Sequence, residues 1–198
     1  DLNRDGVYGD ESRVGTESGG DITLSPADLR SMGMDNGTAD YLVGVQVGYA
    51  GNIRVTGSAT MRVLNAAPRA TLSNSTLSPE VPVAEGGSAT VSFSQVSDPS
   101  SADSTGFRYS FDFDNDGVFE PGFIDLGTAQ VTMPTAFLRD AGIVTVRATV
   151  TDRDGASFEA FTGVRVAEVA PMLTLQGAAT GTEGPVSYTH LTLPTKRI

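Results

Sequence analysis

The sequence contains no cysteine and no tryptophan, and its single histidine is His190. Without cysteine, disulfides, thiolate chemistry and cysteine-based zinc sites are excluded. No apolar run approaches the roughly 20 residues that a membrane-spanning helix needs, so no membrane insertion is expected in this fragment. Basic residues number 13 against 24 acidic ones, which gives a formal net charge of −11. Because such a surface repels phosphate, nucleic acid is not an expected partner.

Short apolar runs with strict alternation predict an all-β protein. Gly is frequent, at 23 residues, and aromatic residues make up only 7%, a composition that favours turn-rich β-sandwiches with small cores. In the segment 107–113, for example, Phe107, Tyr109, Phe111 and Phe113 share one face and are predicted to be core. About seven strands in about 100 residues are typical of an immunoglobulin-like sandwich. The predicted strands are 70–74, 88–94, 107–113, 122–125, 129–133, 143–150 and 158–166.

An internal repeat sets the predicted domain organisation. The segments 61–68 and 164–171 have similar endings, and Pro171 follows Pro68 by 103 residues. The segments 1–8 and 112–119 are similar too, as are 27–30 and 136–139. We therefore expect 1–68 to be the C-terminal part of one repeat, 69–171 a complete repeat, and 172–185 the start of a third. The chain begins inside a motif, so it is interpreted as a fragment.

The last residues are interpreted as non-native. The ten residues 186–195 read VSYTHLTLPT, which resembles in every position the translation of a transposase mosaic-end adapter used in sequencing libraries. On this interpretation the tail 186–198 is derived from an adapter. His190 lies within it, so no catalytic or metal-binding role is assigned to the only histidine.

The complete repeat resembles the PKD-type (polycystin-like) repeats of bacterial surface and secreted proteins. The similarity rests on Phe111-Asp112-Phe113, where the family usually has Trp-Asp-Phe, and on the strand and turn 144–155. It covers about 1–185. The resemblance implies tandem immunoglobulin-like sandwiches that act as non-catalytic spacer or adhesion modules, outside the cell or on its surface. Neighbouring repeats, and a protein or polysaccharide ligand, are the partners it implies.

The segment 112–120, DFDNDGVFE, is the most distinctive chemical feature. Its D-x-D-x-D-G spacing matches the first half of an EF-hand calcium loop, but position twelve is Phe123 where the EF-hand has its bidentate glutamate. Calcium is the predicted cofactor, because the donors are hard oxygens without histidine or cysteine. The alternative is a plain turn in which Asp side chains accept local N–H groups. The candidate ligands are Asp112, Asp114, Asp116, the Val118 carbonyl and Glu120.

Two further acidic groups are weaker candidates. The earlier copy of the motif, Asp1, Asn3 and Asp5, keeps the spacing with one carboxylate fewer. In an immunoglobulin-like sandwich the B–C and F–G loops share one end of the domain, which brings Asp98 and Asp103 close to Asp152 and Asp154. We expect calcium to stiffen the junction between repeats there, as in cadherin-like arrays. Linker residues Asn65 and Glu168 occupy equivalent positions at the two junctions. The junction candidates for calcium are Asp98, Asp152, Asp154 and Glu168.

Motifs of enzymes are absent from the sequence. No nucleophile elbow, phosphate-binding loop or dinucleotide fingerprint occurs, and the paired carboxylates fall on turns and not in a cleft, so we expect no enzymatic activity. Two alternatives stay open beside the spacer. One is a carbohydrate-binding accessory domain of a larger secreted enzyme, which an exposed row of aromatic residues would favour. The other is a dockerin-like calcium module at the N-terminus, with 1–6 as its loop and 26–30 as a helix.

Overall fold

The computed structural model describes residue 6 and the ranges 23–49, 53–77 and 81–172. Within them lie nine strands, one short α-helix and one 3₁₀ turn, Thr135–Leu138. The helix is α1, Pro26–Ser31, and the first two strands are β1, Ala39–Tyr49, and β2, Ile53–Val63. The others are β3 (Arg69–Asn74), β4 (Val83–Ala84), β5 (Thr90–Ser97), β6 (Arg108–Asp112), β7 (Gln130–Thr132), β8 (Gly142–Thr151) and β9 (Ser157–Ala167).

Strands β3 to β9 form a two-layer β-sandwich, as the alternation predicts. One sheet has the order β3-β5-β7, and the other has the order β4-β9-β8-β6. All pairings are antiparallel except that of β4 with β9, where Val83 lies beside Val166 in parallel. The fold class is therefore all-β, and its two sheets are those of a β-sandwich.

The core lies between the two sheets and follows the period-2 pattern of the strands. In β8, Val146, Ala148 and Val150 have no exposed surface, while their neighbours in the sequence point outward. In β6 and the residue after it, Tyr109, Phe111 and Phe113 are buried, which confirms their assignment to the core. Burying an aliphatic or aromatic side chain of this size contributes about 1.5–3 kcal/mol each.

The hairpin β1–β2 repeats the geometry of the hairpin β8–β9. Ala39 pairs with Val63 in the first, and Gly142 pairs with Val166 in the second. Adding 103 to every residue number of the first hairpin reproduces the register of the second. Since register fixes which side chains share a face, Val45 and Val47 correspond to the core residues Ala148 and Val150. Two segments with the same spacing in the sequence thus form the same supersecondary unit.

Helix α1 is stabilised by a capping box. The Ser25 hydroxyl accepts a bond from the Asp28 backbone N–H at 3.2 Å, and Asp28 Oδ2 accepts one from the Ser25 N–H at 2.8 Å. Eight residues then separate Arg30 from β1, whereas two separate the equivalent Arg139 from β8. The six additional residues form a loop that contacts the sandwich, as described below.

One strand prediction is wrong. Residues 122–125 form no strand, although the Phe111 N–H donates to Phe123 O and Tyr109 makes an isolated bridge with Leu126. Asp125 has a φ of 53°, a left-handed conformation that interrupts an extended ladder. The short strand β4 was not predicted, because a strand of two residues is too short to show an alternating pattern.

Candidate metal and junction sites

The turn 112–118 is built from Asp side chains that accept local backbone N–H groups. Asp112 Oδ1 and Oδ2 accept from the N–H groups of Asp116, at 3.2 Å, and Gly117, at 3.0 Å. Asp116 Oδ1 accepts from Val118 at 2.8 Å. Gly117 has a φ of 97°, a conformation that strains residues with a Cβ. The geometry is that of a network of Asx turns.

A guanidinium group completes the environment of Asp112, which is fully buried. Arg147 Nε donates to Asp112 Oδ2 at 3.0 Å, and Arg147 Nη1 donates to Glu159 Oε2 at 2.9 Å. The guanidinium also lies 4.6 Å from the centre of the Phe119 ring. Burial opposes ionisation of Asp112, but the bonds from Arg147 and Gly117 outweigh it, so the pKa of Asp112 is lowered. Asp112 is thus an ionised, structurally paired carboxylate.

Glu120 lies on the inner side of the same turn. Its Oε1 accepts from the Phe113 N–H at 2.9 Å, whereas Oε2 is buried and has no hydrogen bond. Burial raises the pKa of Glu120, and the nearby carboxylates of Asp112 and Asp114 add to the effect. Val118 is exposed on the outer side.

The turn also has the donor spacing of a cation site. Within the described ranges, Asp112, Asp114 and Asp116 form the one group of three acidic or histidine side chains whose ligand atoms all lie within 4.8 Å of each other. Asp114 and Asp116 are exposed, while Asp112 is held by Arg147. A cation here would share Asp112 with a guanidinium.

The second acidic group lies at the opposite end of the sandwich, where the loop β5–β6 meets the turn β8–β9. Asp103 and Asp152 are 1% and 4% exposed. Asp98 is close enough to Asp103, Asp152 and Asp154 for their charges to raise its pKa, although burial is the largest cause. The structure therefore brings these four residues together. Glu168 follows β9 at the other end and is exposed.

The segment before β1 contacts this end of the sandwich directly. Asp35 Oδ2 accepts bonds from the Ser101 N–H at 3.1 Å and from its hydroxyl at 2.8 Å, while Arg30 Nη2 donates to Pro99 O at 2.9 Å. Arg30 and Asp35 also form an ion pair at 3.5 Å. These bonds fix the preceding unit to the loop β5–β6.

The linker after β2 is tied to the same end. Asn65 Nδ2 donates to Asp152 Oδ2 at 3.0 Å. Gly37, at a φ of 66°, leaves room for Asp154, since a Cβ there would lie 2.8 Å from Asp154 Oδ2. A cleft of about 130 Å³ separates the linker from α1, with Leu29, Val63 and Pro99 among its lining residues.

Sequence reasoning missed four residues of these sites: Arg30, Asp35, Ser101 and Arg147. Asp35 belongs to the insertion before β1, Arg30 to helix α1 and Ser101 to the loop β5–β6, and no motif marks any of them. Arg147 could have been found from the sequence pattern of the strands, because it faces outward on β8 directly opposite Asp112 on β6. The candidates Asp1, Asn3 and Asp5 lie outside the described residues.

The chain has similar solved structures but no matching protein family. No family model matches the chain, and no curated protein matches it. Five solved chains match its structure. One comes from work on the "structural basis for the promiscuous specificity of the carbohydrate-binding modules from the beta-sandwich super family", with 25% identity over 52% of this chain and a TM-score of 0.39. The chain spans 36% of that protein's length. None of the helices in the described ranges is long and apolar enough to cross a membrane.

Proposed function

We propose that this chain is a non-catalytic spacer and adhesion segment of a secreted or cell-surface bacterial protein, built of PKD-like repeats. The observation that carries the proposal is the bonded junction between the unit ending in β2 and the sandwich β3–β9. Asp35, Arg30 and Asn65 each contribute a hydrogen bond across it. Contacts that hold consecutive units in a fixed orientation are what a spacer needs.

The repeated hairpin supports the same proposal. Because β1–β2 and β8–β9 have identical registers after a shift of 103 residues, the chain is interpreted as an array of equivalent units, as in other repeat proteins where each unit contacts its neighbours. Neighbouring repeats are then the first partners, and a protein or polysaccharide ligand is the second. The buried carboxylates act in turns and at the junction, which gives them a structural role in place of a catalytic one.

Removing the junction bonds is expected to loosen the pair of units without unfolding either. We predict that Asp35→Ala broadens the distance distribution between spin labels at Ser58→Cys and Thr145→Cys about two-fold, since interfaces between domains are mobile unless held. The chain contains no other cysteine to react with the labels. Electron–electron double resonance measures the distribution.

The matched control is Asp40→Ala, which removes an exposed carboxylate on β1 that pairs only loosely, at 3.8 Å, with Arg62. It should leave the distribution narrow. A parent chain whose distribution is already broad would contradict the fixed-junction proposal.

Calcium belongs to the proposal as its cofactor, and the turn 112–120 is one location for it. Asp114 and Asp116 offer exposed carboxylates close to Asp112, and the Val118 carbonyl and Glu120 stand on the same turn. Calcium accepts six to eight oxygen ligands in flexible geometry. Binding at this turn is expected to be weak, because Asp112 already carries the Arg147 ion pair.

A carbohydrate-binding role is the second candidate, and one observation favours it. Phe161 is 54% exposed on the outer face of β9, where it pairs across the sheet with Arg147 of β8. An exposed ring on a sheet is a stacking surface for a sugar. If that face binds glycans, we predict that Phe161→Ala lowers the affinity for polysaccharide, measured by affinity electrophoresis, at least about ten-fold. This corresponds to a loss of about 1.4 kcal/mol of binding free energy. Retention equal to that of the parent would exclude this face.

A further inference from the structure

The loop β5–β6 buries carboxylate oxygens that have no hydrogen-bond donor. Asp103 is 1% exposed, and neither of its side-chain oxygens makes a hydrogen bond. Asp98 Oδ2 and Asn65 Oδ1 are also buried without a hydrogen bond. The Asn65 amide donates to Asp152, whose charge acts on both Asp98 and Asp103. Buried polar atoms in proteins are almost always paired, and an unpaired buried charge is costly. Four unpaired acceptor oxygens at one junction therefore require an explanation.

Apart from the Ser100 hydroxyl, which is buried without a hydrogen-bond partner, the nearby backbone and amide donors are bonded to other oxygens. The Ser100 N–H donates to Asp98 Oδ1, and the Asn65 side-chain amide donates to Asp152. The N–H groups of Asp154 and Ala156 both donate to Asp152 Oδ1. What remains is a set of oxygen acceptors with a surplus of negative charge.

The electrostatics of the junction carboxylates also favour a bound cation. Burial raises the pKa of Asp103, and the carboxylates of Asp154 and Asp152 raise it further. The Ser100 hydroxyl and Arg153 act in the opposite direction, although the hydroxyl makes no properly aligned hydrogen bond. Repulsion among Asp98, Asp103, Asp152 and Asp154 would be relieved by a bound cation.

We propose that a calcium ion binds between the linker and the loop β5–β6, with Asp98, Asp103 and the side-chain oxygen of Asn65 as ligands. The inference rests on the proposed spacer function, because Asn65 belongs to the linker and the two aspartates belong to the next unit. Calcium suits mixed carboxylate and amide oxygens in flexible geometry, whereas magnesium demands a near-ideal octahedron. Asp152 orients Asn65 by accepting its amide N–H.

Asp103 distinguishes this site from the turn 112–118. At the turn, the buried carboxylate of Asp112 is already compensated by Arg147 and two backbone N–H groups. At the junction, neither side-chain oxygen of Asp103 has a hydrogen bond. The site unites two units, so binding there would also order the linker.

Thermal unfolding of the full chain with calcium chloride or with EDTA tests the proposal. At 100 times its Kd, calcium is expected to raise the Tm by about 10 °C. Asp103→Asn should abolish this shift, and in EDTA the same variant should melt above the parent, because it removes an uncompensated buried charge. Asp98→Asn should likewise abolish the shift, which guards against an isolated folding defect in one variant.

Asp40→Asn is the matched control, since it removes an exposed carboxylate of β1 that belongs to neither acidic group and should leave the calcium shift intact. Magnesium at the same concentration should give a much smaller shift. The proposal is overturned if calcium does not raise the Tm of the parent or if it still raises the Tm of Asp103→Asn. It is also overturned if Asp114→Asn alone abolishes the rise in Tm, because the ion would then bind at the turn 112–118. Spin-label distances recorded in EDTA report on the fixed junction separately, so failure of calcium binding and failure of the spacer proposal give different results.

Discussion

Arg147→Ala is expected to destabilise the sandwich by about 3–5 kcal/mol, the usual cost of leaving one member of a buried ion pair without its partner. Asp112 is fully buried, and the Arg147 guanidinium is its only cationic partner among the described residues. Removal of the guanidinium also uncovers Phe119, over which it stacks at 4.6 Å. Denaturation with urea, followed by circular dichroism, measures the loss as a fall in the midpoint at unchanged slope.

The pH dependence of this pair follows from the lowered pKa of Asp112. A carboxyl group whose pKa is lower in the folded state contributes stability above its unfolded pKa of about 3.9, and that stability is lost as pH falls through the folded value. The difference in stability between parent and Arg147→Ala should therefore be full at pH 7 and shrink in acid below pH 4 or so.

Two variants separate the pair from general effects of losing an arginine. Arg108→Ala removes an exposed arginine from the neighbouring strand β6, and its cost should stay within about 0.5 kcal/mol. The double variant Arg147→Met, Asp112→Asn should recover a large part of the loss, because no buried charge is left unpaired. A loss below about 1 kcal/mol for Arg147→Ala would show that Asp112 is neutral or hydrated.

Phe111→Ala is expected to cost about 3–5 kcal/mol, the range for deleting a fully buried aromatic ring. The ring has no exposed surface and lies 6.1 Å from the rings of both Phe93 and Phe113. Phe93 belongs to one sheet and Phe113 follows the other, so the ring connects the two layers. Against a stability of about 5–15 kcal/mol for small domains, such a loss removes a large part of the free energy of unfolding. The fall in Tm is the measurement.

The matched control is Phe161→Ala, which removes the same side chain from an exposed position and should cost less than about 1 kcal/mol. Phe111→Trp tests the tightness of the core at the position where PKD-type repeats usually have tryptophan. We expect it to destabilise by about 1–3 kcal/mol, because extra volume in a closed core forces neighbours out of their rotamers. A stabilised Phe111→Trp would mean that the core holds a cavity of indole size.

Most of the sandwich could be predicted from the sequence because strands carry a period of two. The alternation in 143–150 identified both β8 and its buried valines, and the aromatic alternation in 107–113 identified β6. The strand predicted at 122–125 was wrong, because Asp125 adopts a left-handed conformation that interrupts an extended ladder. Pairing order was not predictable, because β4 joins a strand more than 80 residues away.

The candidate sites also differ in how far the sequence predicts them. The local turn 112–118 was visible in its spacing, because Asx turns connect residues two to five positions apart. Contacts between distant segments were not: Arg147 lies 35 residues from Asp112, and Asp35 lies 66 residues from Ser101. Clustering of Asp98, Asp103, Asp152 and Asp154 was predicted only through the resemblance to a known fold, which supplied the loop positions.

The parallel pairing of β4 with β9 has a consequence for synthesis on the ribosome. Val83 finds its partner Val166 only after nearly the whole unit has been translated, and β8, the neighbour of β6, is also made late. A nascent chain therefore carries an unfinished sandwich, with Phe93 and Phe111 uncovered, until its last hairpin emerges from the exit tunnel. Contacts of this separation slow folding, and uncovered sheets attract chaperones and other nascent chains. The sandwich β3–β9 can therefore close only after its last strand has been made.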